Sequence, residues 1–493
     1  MIFIRYQGLE QMCLNVIATN LDRFIVASNI PQSQMYFFRQ FYSDKLYKLL
    51  KTKFSMNEKY FHWLLSPYWK EIAFRDFLSP DTFKKLQAVG GFVTSLCLKY
   101  SLANDDMLFA IISCVPNVKH LDLTETNCSD KVVAFIRKAC PFLVSLNLES
   151  CSNVTDEGVI RLSSSDKQFP NYDNLKFLNI KHTSVSYCGV IFILQHLPSL
   201  QYVKYDHFAT ALHLLHSGQL HESSQKKYNL ALFEHTFAAK AAIGDVLETW
   251  TVLCPKVTNA IIHDMPSEYE FRLLQKFSHL KKLAVSFPCR YIPSCTRFFI
   301  QISPYLTCNG HMLTVLKFRN VTVSVKELTK FCPNLQCLHL LEVMYADFEE
   351  KDLHEEQHRL ENLETLKLFN TNLQYNFKSF NLLFTSAKKL KKLYFKFIEE
   401  FSEKIADLIL NSSQTLTEVN FIYTDIRSTS LKKFFALPNI YKIRSDTNRF
   451  IPYENNTVLL NPLNHTESRN TLSWQEEYVE NCSSDETSGD DMY

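Results

Sequence analysis

The chain has 493 residues, with 53 Lys and Arg against 51 Asp and Glu for a net charge of +2, so bulk charge gives no argument for binding nucleic acid or a membrane surface. Only nine glycines are present, and no P-loop or G-x-G-x-x-G pattern occurs, which argues against loops that cradle nucleotides. Fourteen cysteines would suit a disulfide framework, but several recur at periodic apolar or turn positions, as buried thiols do in a reducing compartment, cytosol or nucleus.

Residues 1 to about 90 read as a helical N-terminal region in which Leu9, Cys13, Ile17, Leu21 and Phe24 share a helical face. Arg5, Gln7, Glu10 and Gln11 interrupt any apolar run at the start, so no signal-peptide core is expected, and no later stretch approaches a membrane span. The row Leu9, Cys13, Ile17 sets one long, one small and one branched apolar side chain at i, i+4 and i+8, a shape that inserts into a partner's groove. This row resembles a BC-box, by which VHL-box and SOCS-box receptors bind elongin C, and it stands ahead of the repeats as in leucine-rich receptors of the Zyg-eleven type. Ile30-Pro31 followed by Met35, Phe37 and Phe38 loosely resembles a cullin box, with Gln34 where an apolar residue is expected. The resemblance implies an adaptor-binding role for Leu9, Cys13, Ile17, Ile30 and Pro31, and a cullin partner. Two alternatives remain: a plain cap on the repeat array, or a diverged F-box in which Trp63 or Trp69 serves but the Leu-Pro start is missing.

Residues 91–447 carry the repeats, and the stretch from Leu143 to Leu162 is the most complete of them. Leu143, Leu146 and Leu148 form L-x-x-L-x-L, Cys151 occupies the turn, and Thr155-Asp156 opens a helix that continues through Val159 and Leu162. Aligned on Leu146, the pattern recurs at Leu96, Leu121, Leu178, Val203, Leu283, Leu316, Leu338, Leu366, Leu393, Val419 and Ile443, with Leu230 and Ala260 as fainter candidates between 206 and 260. The period of about 22 to 33 residues is that of leucine-rich units. Cys140-Pro141, Cys254-Pro255 and Cys332-Pro333 each stand just before a strand, where Pro ends the preceding helix. The pattern resembles the cysteine-containing class of leucine-rich repeats found in F-box substrate receptors. It implies an α/β leucine-rich repeat solenoid, a horseshoe with parallel strands on its concave face.

Side chains flanking the inward leucines are expected on that face. In the first half they are mixed, for example His120, Asp122, Ser145, Asn147, Phe177 and Asn179; in the second they turn basic and aromatic at Lys317, Arg319, Lys367, Phe369, Lys392, Tyr394 and Lys396. The second set is the expected partner-binding surface, the alternative being lysines that merely keep a sheet soluble. His354-Glu355-Glu356-Gln357-His358 is a literal H-E-x-x-H, but it lies in a charged run with no evident third ligand, so a solvated helix is expected in place of a zinc site. Residues 448–493 read as a disordered acidic tail, with seven acidic residues and no basic one from Glu476 to Tyr493. The expectation is a non-enzymatic protein with no cofactor and no metal: the substrate-recognition subunit of a cullin-RING ubiquitin ligase, cytoplasmic or nuclear. Its partners would be a protein substrate and an elongin C-type adaptor or the F-box adaptor, with neither nucleic acid nor membrane; a leucine-rich scaffold without ligase attachment is the alternative.

Overall fold

An L-x-L segment can bury its two alternating leucines only by stacking beside others of its kind, and this chain does so throughout. The computed structural model describes residues 12–26, 32–53, 58–74, 79–164, 174–216, 227–236, 243–263, 267–287, 295–346, 359–373, 375–398, 401–440 and 442–445. Six parallel strands form a first sheet in chain order: β1 (Glu71–Ala73), β2 (Ser95–Cys97), β3 (His120–Asp122), β4 (Ser145–Asn147), β5 (Phe177–Asn179) and β6 (Tyr202–Lys204). A second sheet of nine continues with β7 (Leu232–Thr236), β8 (Asn259–His263), β9 (Lys282–Ser286) and β10 (Val315–Arg319). Past a small separate pair, β11 (Thr322–Val323) with β13 (Met344–Tyr345), it runs through β12 (Cys337–Leu341), β14 (Thr365–Phe369), β15 (Lys392–Lys396), β16 (Glu418–Ile422) and β17 (Lys442–Ser445).

The register is the one the leucines dictate. Leu96, Leu121, Leu146, Leu178 and Val203 pair rung by rung, as do Ala260, Leu283, Leu316, Leu338, Leu366, Leu393, Val419 and Ile443. The faint stretch 206–260 supplies two full repeats, with Phe233 opposite Ala260 where Leu230 had been the candidate. There an aromatic core replaces leucine: Trp250 is fully buried, with ring centroids 5.7 Å from Phe208 and 5.1 Å from Phe233.

Turns and helix starts are satisfied within the stack. Cys151 Sγ donates to the Leu123 carbonyl of the preceding repeat at 3.0 Å, and Thr126 and Thr183 donate to Leu123 and Ile180 at 2.8 Å, so orphan carbonyls at the turn find partners inside the core. Three successive helices, beginning at Asp130, Asp156 and Tyr187, open on a capping Ser or Thr that is held by the first aspartate of the helix before it. Ser129 donates to Asp105 at 2.6 Å; Thr155 Oγ1 to Asp130 at 2.7 Å; Ser186 Oγ to Asp156 at 2.6 Å. Gly158 and Gly189 make room for this ladder, since a Cβ at either would collide with the carboxylate of Asp130 or Asp156.

The sheet begins before residue 91, with β1 against β2. Its open edge is closed by the N-terminal helices: the Tyr47 hydroxyl donates to the Ala73 carbonyl at 3.0 Å and accepts from the Ala73 amide at 2.6 Å, while Trp69 Nε1 donates to Ser43 at 3.0 Å. An uncovered strand edge would otherwise present unpaired backbone groups.

Candidate partner-binding surfaces

At the N-terminal end, Leu14, Ala18 and Leu21 are buried in the common core, Cys13 is exposed and Ile17 half-buried. The buried row is therefore one position away from the Cys13–Ile17 row: Cys13 faces outward, while Ile17 still packs in part against the core. Beside it Met12 and Val16 are 42% and 62% exposed, and on the helix Gln32–Phe41 the rings of Phe37 and Phe41 are also exposed, 4.7 Å apart. Phe38 turns inward against Phe24 and Trp63, and Trp69 belongs to the core. Leu9, Ile30 and Pro31 lie outside the described residues, as do His354 to His358 and the acidic tail. Among the described residues no group of three or more His, Cys, Asp or Glu side chains could hold a metal ion.

On the concave face the expected residues separate into three environments. Lys317 is only 2% exposed, so it does not offer its side chain to solvent as expected; flanking strands shadow it. Arg319 is half-buried, its Nε 3.3 Å from Glu342 Oε2. Lys367, Phe369, Tyr394 and Lys396 remain half-exposed and interleave: Lys367 Nζ lies 5.3 Å above the Tyr394 ring, and Lys396 Nζ lies 5.2 Å from Phe369 and 5.5 Å from Phe397. Lys392 is exposed. The result is a cation–aromatic surface across β14 and β15.

Three features were not foreseen. The residue after β10, β12, β14, β15 and β16, respectively Asn320, Glu342, Asn370, Phe397 and Tyr423, has a φ between 47° and 54°, the left-handed region that disfavours bulky side chains. Phe397 and Tyr423 are nonetheless stacked, 4.9 Å apart with a 7° interplanar angle, and remain 43% and 48% exposed. The Asn residues gave a partial hint; nothing in the sequence marked the aromatic ones. Second, the two sheets meet at a buried ion pair, Lys181 Nζ to Glu234 Oε1 at 3.1 Å. Burial alone would raise the Glu234 carboxyl, but Lys181, with Lys204 and His263 behind it, outweighs burial and holds it below the usual value. Third, His339 is buried between Lys317 and Lys367 on neighbouring strands, and burial first, then these two ammoniums, hold it well below the ordinary imidazole range. Its Nε2 lies 3.1 Å from Cys337 Sγ.

One parallel strand per repeat, an inward leucine ladder and a Cys or Thr at the turn settle the architecture. The chain has an α/β leucine-rich repeat fold. No family model matches it. Among curated proteins, this leucine-rich repeat chain is similar to F-box/LRR-repeat protein 5 of Danio rerio, 40% identical over 83 residues, and of Salmo salar, 38% over 81 residues; each match covers 16% of this chain and 12% of the relative. The chain thus spans about an eighth of the length of the curated relatives it matches. Among solved structures, the yeast Rad7 and Elc1 complex aligns over 88% of this chain and 97% of that one at 14% identity with a TM-score of 0.44. An internalin of Listeria monocytogenes aligns over 76% and 86% at 13% identity with a TM-score of 0.29.

Proposed function

We infer that this leucine-rich repeat protein is the substrate-recognition subunit of a cullin-RING ubiquitin ligase, in the cytosol or nucleus. The N-terminal helices bind an elongin C-type adaptor, and the concave face across β14 and β15 binds the protein to be ubiquitinated. The observation that carries this reading is the outward row of Met12, Cys13 and Val16, together with the exposed pair Phe37 and Phe41 on a following helix. A helical cap that served only to close the solenoid would turn these apolar groups inward, and clustered exposed apolar side chains mark interaction sites. The local similarity to F-box/LRR-repeat proteins supports the same class of receptor and favours, as the second reading, attachment through the F-box adaptor. The reading gives the chain no catalytic step: it holds a substrate near enzymes supplied by its partners.

Affinity purification from cells tests this. The wild-type chain is expected to bring down elongins B and C with a cullin, and Cys13→Asp combined with Val16→Asp, both at exposed positions, to lose them without loss of stability. Recovery of the F-box adaptor in place of elongin C selects the second reading; recovery of neither sinks the receptor assignment.

A further inference from the structure

Two half-exposed thiols stand at strand positions on the concave face, and their surroundings are opposite. Cys97, at the end of β2, lies opposite Asp122 in register, its Sγ 4.0 Å from the Asp122 carboxylate. A carboxylate at that distance disfavours a thiolate. Cys337, at the start of β12, has Sγ 3.1 Å from His339 Nε2. The charged groups acting on His339 are the ammoniums of Lys317 and Lys367, one on each neighbouring strand. Burial and these lysines disfavour the charged form of His339; in the tautomer that carries its proton on Nε2, a thiolate at Cys337 would accept that hydrogen bond beside a residue flanked by two ammoniums. Reactive cysteines occupy such electropositive, partly exposed settings, whereas buried ones are inert. Cys140, Cys254 and Cys332 belong to the second kind: burial pushes all three thiols up, those of Cys140 and Cys332 to about 12.

We propose that Cys337 is a nucleophilic thiol and a modification site on the concave face, which forms a mixed disulfide with small anionic disulfides of the glutathione type. The thiolate attacks one sulfur of the disulfide; the Cys337 Sγ–S bond forms, the original S–S bond breaks, and the departing thiolate takes a proton from water. No other oxidant enters, since the disulfide is reduced as Cys337 is oxidised. Anionic disulfides are favoured because Lys317 and Lys367 flank His339, and the exposed Lys392 stands two strands away in the register row of Cys337, so a negatively charged reagent is concentrated there. This chemistry stands apart from the receptor reading and survives its failure.

The exposed thiols Cys13, Cys188 and Cys308 provide internal references. The full chain is incubated at pH 7 with glutathione disulfide, or with the cationic disulfide cystamine, and each cysteine's modification is followed by peptide mass spectrometry. Because a more stable thiolate is a weaker nucleophile, a tenfold larger thiolate population returns roughly a threefold faster attack. Cys337 is therefore expected to react with glutathione disulfide at least about threefold faster than the three references, and to prefer it over cystamine. Cys97 should be slower than Cys337 with both. Lys367→Met, at a half-exposed position, should lower the Cys337 rate and leave the references unchanged. A Cys337 rate no higher than that of the exposed references overturns the proposal, and equal rates with the two disulfides overturn its anionic class.

Discussion

The two halves of the sheet share one inward ladder and differ in what they do at the residue after the inward leucine. In β3, β4 and β5 of the first sheet that residue is Asp122, Asn147 and Asn179, and its side chain accepts from the backbone amide two residues on, at 2.9, 3.2 and 3.1 Å. This is an Asx turn, and β3, β4 and β5 each stop there at three residues. In the second half the corresponding residues of β10, β12, β14 and β15 are Lys317, His339, Lys367 and Tyr394, which cannot make that turn, and these strands run on to five residues. The outward side chains of Asp122, Asn147 and Asn179 are thus committed to the backbone, while Lys367 and Tyr394 stay half-exposed on the face.

The largest expected effect lies where the halves join. Glu234 and Lys181 are both nearly buried, and breaking a buried pair by removing one partner costs about 3–5 kcal/mol. Glu234→Gln should lower the unfolding free energy from urea titration by that amount, and if the halves unfold together there should still be one transition; two would show that they are separate cooperative units. The pH dependence follows from the sign of the shift. The Glu234 carboxyl is held below its ordinary value of 4.5 in the folded chain, so its contribution is complete above pH 4.5 and is lost as pH falls through the lower folded value. Glu234→Gln should flatten that acid limb of the stability profile.

Next comes the helical side of the first half. Gly158→Ala pushes a Cβ into the Asp130 carboxylate that holds Thr155, and overpacking of this kind costs about 1–3 kcal/mol. Gly244, whose nearest neighbour to an added Cβ is a Tyr269 ring carbon at 3.5 Å, is the control: Gly244→Ala should be neutral or stabilising in the same thermal melt. Asp122→Ala and Asn147→Ala should each cost about 1 kcal/mol, the worth of one turn hydrogen bond, and leave partner binding unchanged. Tyr394→Ala in the second half should do the reverse, weakening partner capture more than stability. If both classes of substitution weaken partner binding alike, the division of labour between the halves fails.

The inward half of this structure was legible because burying a two-residue alternation fixes register, and the aligned position from Leu96 to Ile443 pairs as read. It faded only at 206–260, where Phe233 and Ala260 stand for leucine and Trp250 fills the volume. The outward half was legible in identity but not in exposure: alternation assigns Lys317 and Lys392 to one face, while shadowing by neighbouring strands buries the first and leaves the second open. Phase was the weak point at the N-terminal helix as well, where several apolar residues compete for the buried face: Leu14 and Ala18 take it from Cys13 and leave Ile17 half-buried. The left-handed ridge was invisible because Phe and Tyr are not residues that announce a turn.

That ridge yields the smallest expected effect on stability and the most discriminating one on function. Phe397 and Tyr423 have φ values of 53° and 49°, and a non-glycine residue held there costs about 1–2 kcal/mol. Their stacking, together with Lys396 at 5.5 Å from the Phe397 ring, returns a similar amount, about 0.5–1.5 kcal/mol for an aromatic pair and about 0.5–1 kcal/mol for an exposed cation over a ring. Phe397→Gly removes the strain and the stacking together, so the two nearly cancel and the melting temperature should hardly move. Strain kept at an exposed site without a net gain in stability points to a role outside folding. Phe397→Gly should therefore weaken capture of the substrate while leaving the adaptor bound, because the proposed adaptor surface lies on the N-terminal helices, far along the chain of repeats from β15. A clear rise in stability with unchanged substrate capture would show that the ridge is only strain, and would confine the partner surface to Lys367, Phe369, Tyr394 and Lys396 within the sheet.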